Sequence, residues 1–376
     1  NILLNNLIKW DNIYFTKLFN FDKEKDIIFE HEYVFGPLWW RLINFLKIKS
    51  FYKNFIIALM ITNLCHFSSS IILYELTFTC FKSLNPLQKR VKNLSLISSL
   101  FFIISPAGIF LTTTYSESFC SLLSFTSLYL REISLKYNFD KSYEIKKIFP
   151  YFLSGTFASI AVLTRSNTLL LGILYLFDLI NNFFYYKNLN NARWSLLTGF
   201  QVFISFSALN VIPYFQFCPE RTLWCANKIP SLLLFAQSNY WNTGFLKYWT
   251  LNNIPNFLFC LPTIIVIINS LFYFTYKYPC LIKIKVILII STIYLFLNLF
   301  FWHVQIINRI STFLPISYWY MADLFITENT NKLLSINEKK GKPTINDFNF
   351  SKSFIYYSVI WITVQTGLYG MFLPPA

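Results

Sequence analysis

Long apolar runs separated by short polar, mostly basic stretches set the pattern of this chain. Runs of about 17 to 25 apolar residues are what a helix needs to cross the hydrocarbon core of a bilayer with its backbone groups bonded internally. Ten such segments are predicted, at residues 54–81, 94–112, 116–131, 149–165, 167–186, 195–217, 256–276, 284–302, 304–326 and 353–373. The pairs that flank 113–116, 165–167 and 303 read equally as long helices kinked or broken inside the protein. No period of 20–50 residues repeats along the chain. The expected fold is all-α and multispanning, one transmembrane unit over 1–376. In it, 1–53 forms a first loop, 54–217 and 256–376 hold the spans, and 218–255 forms a second large loop, the loops carrying short interfacial helices.

Composition agrees with the pattern. Hydrophobic residues make up 55% of the chain, the mean hydropathy is +0.47 and only 13% of residues are charged, against about 25% in soluble domains. The net charge of +15 would suit a nucleic-acid partner only on a soluble fold with a basic face, and here the lysines lie between apolar segments. Abundant Phe, Ile, Asn, Lys and Tyr also match the coding bias of an AT-rich genome, which weakens any functional reading of the pI. Basic residues favour the cytoplasmic side of short loops. Threading the ten segments puts 19 of the 32 Lys and Arg on one side, including KSLNPLQKRVK (82–92), which has four basic residues and no acid. That side is expected to be cytosolic. The opposite side receives Asp11, Glu30, His31, Glu32, Glu117, Arg165, Arg221, His303, Gln305 and Arg309, so the chemistry is expected to face the lumen or exterior. The chain begins at Asn1, and one further span is expected to precede Trp10.

Most cysteines read as small apolar core residues. Cys218 and Cys225 share the second large loop, where an oxidising compartment would permit a disulfide but free thiols are as compatible. The absence of CxxC pairs, HExxH and GxxxxGK argues against structural zinc and nucleotide hydrolysis,. Asp11, in KWDNIYF, reads either as a helix N-cap or as a general base beside an aromatic cluster that includes Trp10. Glu30, His31 and Glu32, in FEHEYVFGPLWW, read either as a solvated loop or as a polar cluster for a sugar, a phosphate or a hard cation; if extended, the two acids share a face. Arg165 lies in ASIAVLTRSNTLLLG, where an unpaired charge costs about 2.5 to 3.5 kcal/mol or more. It is read as a structural ion pair, a snorkelling residue or an anion-binding guanidinium. His303, Gln305 and Arg309 pose the same problem in HVQIINR. His303 and Arg309 are six residues apart, so they line one cavity only if the helix breaks between them.

Taken in order, KWDNIYF, FEHEYVFGPLWW, ISPAGIFLTTTYSESFCSLLSF, AVLTRSNTLLLG, the SNYWNTGFLKYWTLNNIPNF run and HVQIINR are together specific. The chain resembles the PIG-V family of GPI mannosyltransferases from Trp10 to about Tyr320. The resemblance implies a multispanning GT-C glycosyltransferase of the endoplasmic reticulum that moves mannose, in α-1,6 linkage, from dolichyl phosphate mannose onto the first mannose of a GPI precursor. It implies that Asp11 is the base and that no cofactor is needed, since the lipid phosphate is the leaving group; a divalent cation is not expected. Arg165, His303 and Arg309 become candidates for the departing phosphate. Glu30 and His31, with Glu32 beside them, become candidates to orient the acceptor or Asp11, while Tyr240, Trp241 and Asn242 offer mannose a stacking wall and hydrogen bonds. The expected partners are the two lipid-linked substrates in the membrane, no nucleic acid, and a small membrane subunit whose need is left open. Gly36 and Trp40 depart from the family pattern, which puts the local loop shape in question. A transporter is disfavoured by the missing inverted repeat. A non-catalytic assembly subunit and another GT-C mannosyltransferase are the remaining alternatives.

Overall fold

The computed structural model describes residues 2–20, 30–82, 88–138, 142–218, 222–278, 282–338 and 349–373. Helices dominate, as the apolar periodicity demands. Among the described residues, five helical segments are long and apolar enough to cross a membrane: Phe51–Phe81, Ser166–Tyr185, Leu189–Phe217, Leu251–Lys277 and Ile282–Phe300. Ile148–Thr164 is apolar but shorter.

The expected count of ten is therefore not reproduced by length and apolarity. Gln88–Ile103, Glu117–Ser134, Ile316–Glu338 and Phe350–Gly370 are helical but do not meet both criteria. The clearest reason lies in Glu117–Ser134, which packs between Phe51–Phe81 and Ile148–Thr164. Its Ser118, Ser121, Ser124 and Ser127 are wholly buried. Ser121 and Ser124 hydroxyls bond to carbonyls one turn back, at 2.9 and 2.7 Å, and Ser127 meets the Tyr175 hydroxyl at 3.2 Å. Small hydroxyl residues let helices approach closely inside a membrane bundle, and a helix turned wholly toward protein has no need to be greasy. The stretch predicted at 304–326 is broken instead, into Val304–Ile306, Ile307–Ile310, Ser311–Phe313 and the start of Ile316–Glu338.

One short antiparallel hairpin, Leu135–Tyr137 with Tyr143–Ile145, qualifies the all-α expectation. It closes the end of the bundle that carries the basic loops. There Asp178, fully buried, pairs with Arg131 and accepts from the Tyr143 and Tyr151 hydroxyls at 2.7 and 2.8 Å. Lys283 with Glu132 (2.9 Å) and Asp323 with Lys277 (2.6 Å) and Arg90 (3.2 Å) lie at the same helix ends. Buried acids here are paired and hydrogen-bonded, as burial requires.

At the opposite end, the first loop folds into Asn12–Phe19, Glu30–Val34 and Pro37–Asn44. Their Phe15, Phe19, Trp39 and Trp40 form a second core with Ile109, Phe110, Tyr115, Trp224 and Tyr369. Gly36 lets this loop touch the bundle. Its φ is +62°, and a Cβ there would collide with the Thr164 carbonyl oxygen, so the departure noted in the sequence is a docking contact. The second large loop holds a Cys218–Cys225 disulfide, followed by short helices at Leu232–Phe235 and Ala236–Tyr240. Arg221 lies outside the described residues.

Candidate active site

Asp11 occupies the N-cap position of Asn12–Phe19, but its side chain makes no capping bond. Instead the carboxylate turns to Arg309, with Nη1 donating to Oδ2 at 2.8 Å. The preceding Trp10 adopts φ 55°, a left-handed conformation that is an outlier for so bulky a residue and one typically held in place by its surroundings at functional sites. Here Asn12 Nδ2 donates to the Leu7 carbonyl at 2.7 Å, Tyr115 donates to that of Lys9 at 3.4 Å, and Thr114 bonds Asn12 Oδ1.

Arg309 is delivered by the break after Ile282–Phe300, and its guanidinium lies 4.8 Å from the ring centre of Phe110 and 4.7 Å from that of Tyr115. Behind it stands Glu117, in the first turn of Glu117–Ser134, where the helix dipole favours an acid,. Glu117 Oε1 accepts from Arg309 Nε and, at 2.5 Å, from Arg165 Nη1. Arg165 sits at the extended break (φ −151°, ψ 124°) between Ile148–Thr164 and Ser166–Leu171, with Ser116 Oγ at 3.5 Å. Two carboxylates and two guanidiniums thus run in one chain, Asp11, Arg309, Glu117, Arg165, from the first loop into the bundle. Glu117 is 1% exposed, while the Asp11 side chain keeps 30% and that of Arg165 19%. The outer members can meet a ligand and Glu117 cannot be reached from solvent. Among the described residues, Glu117 Oε2 and Arg309 Nη2 are buried without a hydrogen-bond partner.

Arg165 lines a small cleft whose other walls are largely apolar side chains, among them Val34, Leu163, Leu209 and Leu233. A cation lining such a cleft suits an anion attached to an apolar chain.

The remaining predicted residues divide. Trp10 stacks on Phe372 at 5.3 Å, and its buried indole nitrogen has no partner among the described residues. Glu32 is buried and pairs with Lys17 at 2.7 Å, tying Glu30–Val34 to Asn12–Phe19. That segment is helical, so the alternation expected of an extended strand does not apply; the side chains of Glu30 and His31 lie outside the described residues. Trp241 meets Phe35 edge-on at 5.5 Å, and Phe35 stacks on Tyr14 at 5.3 Å, so an aromatic row runs from the Asp11 helix to the second loop. Tyr240 is half exposed and Asn242 takes φ 48°. His303 stacks on Tyr248 at 4.6 Å. Burial holds its imidazole below the usual histidine range, against a hydrogen bond with the backbone of Trp241 that raises it. Gln305 offers its carbonyl to Cys260 Sγ at 3.4 Å. The helix does break between His303 and Arg309, but only Arg309 joins the ion-pair chain. Among the described residues no three His, Cys, Asp or Glu side chains cluster as a metal site would require.

A family model described as Mannosyltransferase (PIG-V) matches residues 1–376. The chain belongs to the PIG-V mannosyltransferase family. Relatives of this PIG-V chain include GPI mannosyltransferase 2 of Candida albicans, 40% identical over 100% of this chain and 86% of its own. That of Saccharomyces cerevisiae is 36% identical over 99% of this chain and 87% of its own. A solved archaeal oligosaccharyltransferase from Archaeoglobus fulgidus, in complex with an inhibitory peptide and a dolichol-phosphate, aligns over 88% of this chain and 48% of that one, with a TM-score of 0.49 and 12% identity. Family membership and the apolar helices together make the protein a multi-pass helical membrane mannosyltransferase.

Glu117, Phe110 and Tyr115 were assigned no role from sequence. Their signal was the SPAGIFLTTTYSES stretch itself, in which an acid follows the break directly and opens the next helix.

Proposed function

We propose that the protein transfers the second mannose of a GPI precursor, in α-1,6 linkage, from dolichyl phosphate mannose, on the lumenal face of the endoplasmic reticulum membrane. The observation that carries this reading is the Asp11 carboxylate, released from helix capping and fixed by Arg309 at the exposed edge of a buried ion-pair chain. The acceptor 6-hydroxyl gives its proton to Asp11 as its oxygen forms a bond to the anomeric carbon. The bond from that carbon to the phosphate oxygen breaks, and dolichyl phosphate leaves with the electron pair from the opposite face. A β-linked donor so yields an α product. Positioning groups ahead of reaction removes much of the entropic barrier, and general base catalysis contributes about 10²- to 10⁴-fold.

Arg165, one of the residues lining an apolar cleft, is the candidate to hold the departing phosphate, since a cation in a water-poor site stabilises developing charge. The aromatic row from Tyr14 through Phe35 to Trp241 offers flat faces to a sugar,. The relatives' name, GPI mannosyltransferase 2, supports the acceptor class. A small membrane subunit is a candidate partner. The test is transfer from dolichyl phosphate mannose to a one-mannose GPI lipid, in microsomes lacking the endogenous enzyme, with the product's linkage read by methylation analysis. A 6-linked two-mannose lipid is expected. Transfer from GDP-mannose instead, or a product linked elsewhere, would overturn the reading.

A further inference from the structure

Residues 353–373 read in the sequence as one more apolar span, to which no role is assigned, and the structure makes Phe350–Gly370 a helix. Its buried positions include Trp361, Gln365 and Tyr369, spaced four apart and therefore aligned in one stripe along the helix. Each carries a polar tip, and each tip meets a backbone group of a site-bearing loop. Trp361 Nε1 and Gln365 Nε2 donate to the Pro106 carbonyl at 3.1 and 3.3 Å, and Gln365 Oε1 accepts from the Ile109 N–H at 3.2 Å. Gly108, at φ 48°, leaves no room for a Cβ beneath Gln365. The Tyr369 hydroxyl lies 2.9 Å from the Leu7 carbonyl and 3.1 Å from that of Lys9.

The contact continues beyond the helix. Phe372 stacks on Trp10 at 5.3 Å, with the Lys9 ammonium 5.4 Å from its ring centre. Both rings belong to residues in the left-handed region, Trp10 at φ 55° and Phe372 at φ 63°. Backbone groups outside regular helix that are shielded from water need partners from the protein, and one rigid face supplies them. That face grips the Pro106–Ile109 turn, which precedes the Phe110 ring beside Arg309, and the Leu7–Trp10 turn, which ends at Asp11.

We infer that this helix face is a strut for the reaction centre, with Tyr369 and Phe372 as positioning residues that hold the Trp10–Asp11 turn. The consequence for activity rests on the function proposed above; the consequence for local order does not. Tyr369→Phe removes one hydroxyl and keeps the ring, Phe372→Ala removes the stack, and Phe372→Tyr restores it. Full-length variants are compared for kcat and KM of mannose transfer, for thermal stability, and for amide exchange of the 7–15 segment by mass spectrometry.

Since misplacing a catalytic group by about 1 Å costs about 10²-fold, Tyr369→Phe and Phe372→Ala are expected to lower kcat about 10- to 100-fold at nearly unchanged KM. Both should speed exchange in 7–15, and Phe372→Tyr should recover both readouts. Wild-type exchange in the two variants overturns the strut, whatever the activity, and so does a raised KM at unchanged kcat, which would make these residues substrate contacts. Should Phe372→Ala melt globally, Tyr369→Phe decides. Should the wild type fail to transfer mannose, the proposed function falls while exchange still judges the strut.

Discussion

Replacing Glu117 with Gln tests the ion-pair chain at its hub. Glu117 is 1% exposed and serves both Arg309 and Arg165, whose side chains keep 10% and 19% of their exposure. In the wild type the four members balance, two acids against two guanidiniums. Glutamine keeps the shape but leaves a net positive charge inside, with Arg165 lacking an acidic partner among the described residues and Arg309 held by Asp11 alone. Removing one partner of a buried pair costs about 3–5 kcal/mol; residual exposure of Arg165 places the expected loss near the lower end, about 3 kcal/mol. The double change Glu117→Gln/Arg165→Gln restores the balance, so the two substitutions should be non-additive by about 0.5–3 kcal/mol in the stabilising direction. The assay is unfolding of the four proteins of that cycle in one detergent, with mannose transfer measured on the same preparations. A Glu117→Gln protein as stable as wild type, or strictly additive losses, would refute the chain as an organising element.

Gly36→Ala must accept φ +62° and push against the Thr164 carbonyl; a loss of at least about 1–3 kcal/mol and reduced transfer are expected from melting curves and activity. Arg309→Lys keeps the charge but not the fork that spans Asp11 and Glu117, so kcat should fall by about tenfold or more, as a steady-state assay would show. His303 is held below its ordinary value of 6.5, chiefly by burial. As pH falls from 6.5 toward the folded value, the unfolded chain takes up this proton and the folded one does not, so stability declines through that window. Melting from pH 7.5 to 5.5 should show this decline, and His303→Gln should lessen it. Cys218→Ser opens the disulfide loop and should cost about 2–3 kcal/mol by the loop-closure estimate, read as a fall in melting temperature equal to that caused by reductant.

The apolar runs made the multispanning helical class legible, because backbone satisfaction in a bilayer leaves so few options. They overstated uniformity. Glu117–Ser134 is sheltered by its neighbours and so can be serine-rich, and the stretch through Arg309 spends its residues on short turns that aim one guanidinium. Asp11, Arg165 and Arg309 stood out singly because a charge among apolar residues needs a reason. Glu117 stands with them among the polar residues of one side, but its place as the acid shared by Arg165 and Arg309 is not legible, since it depends on residues 48 and 192 positions away. The same long range hid Tyr369, which meets Leu7 across 362 positions.

The central claim is that the Asp11 carboxylate accepts the acceptor's proton, and Asp11→Asn tests it most directly. Asparagine is nearly isosteric and cannot take up that proton. At equal abundance and melting temperature, kcat/KM for mannose transfer should fall about 10²- to 10⁴-fold. Transfer within about threefold of wild type, well short of the 10²-fold that a lost general base removes, would contradict the account and leave Asp11 a structural partner of Arg309.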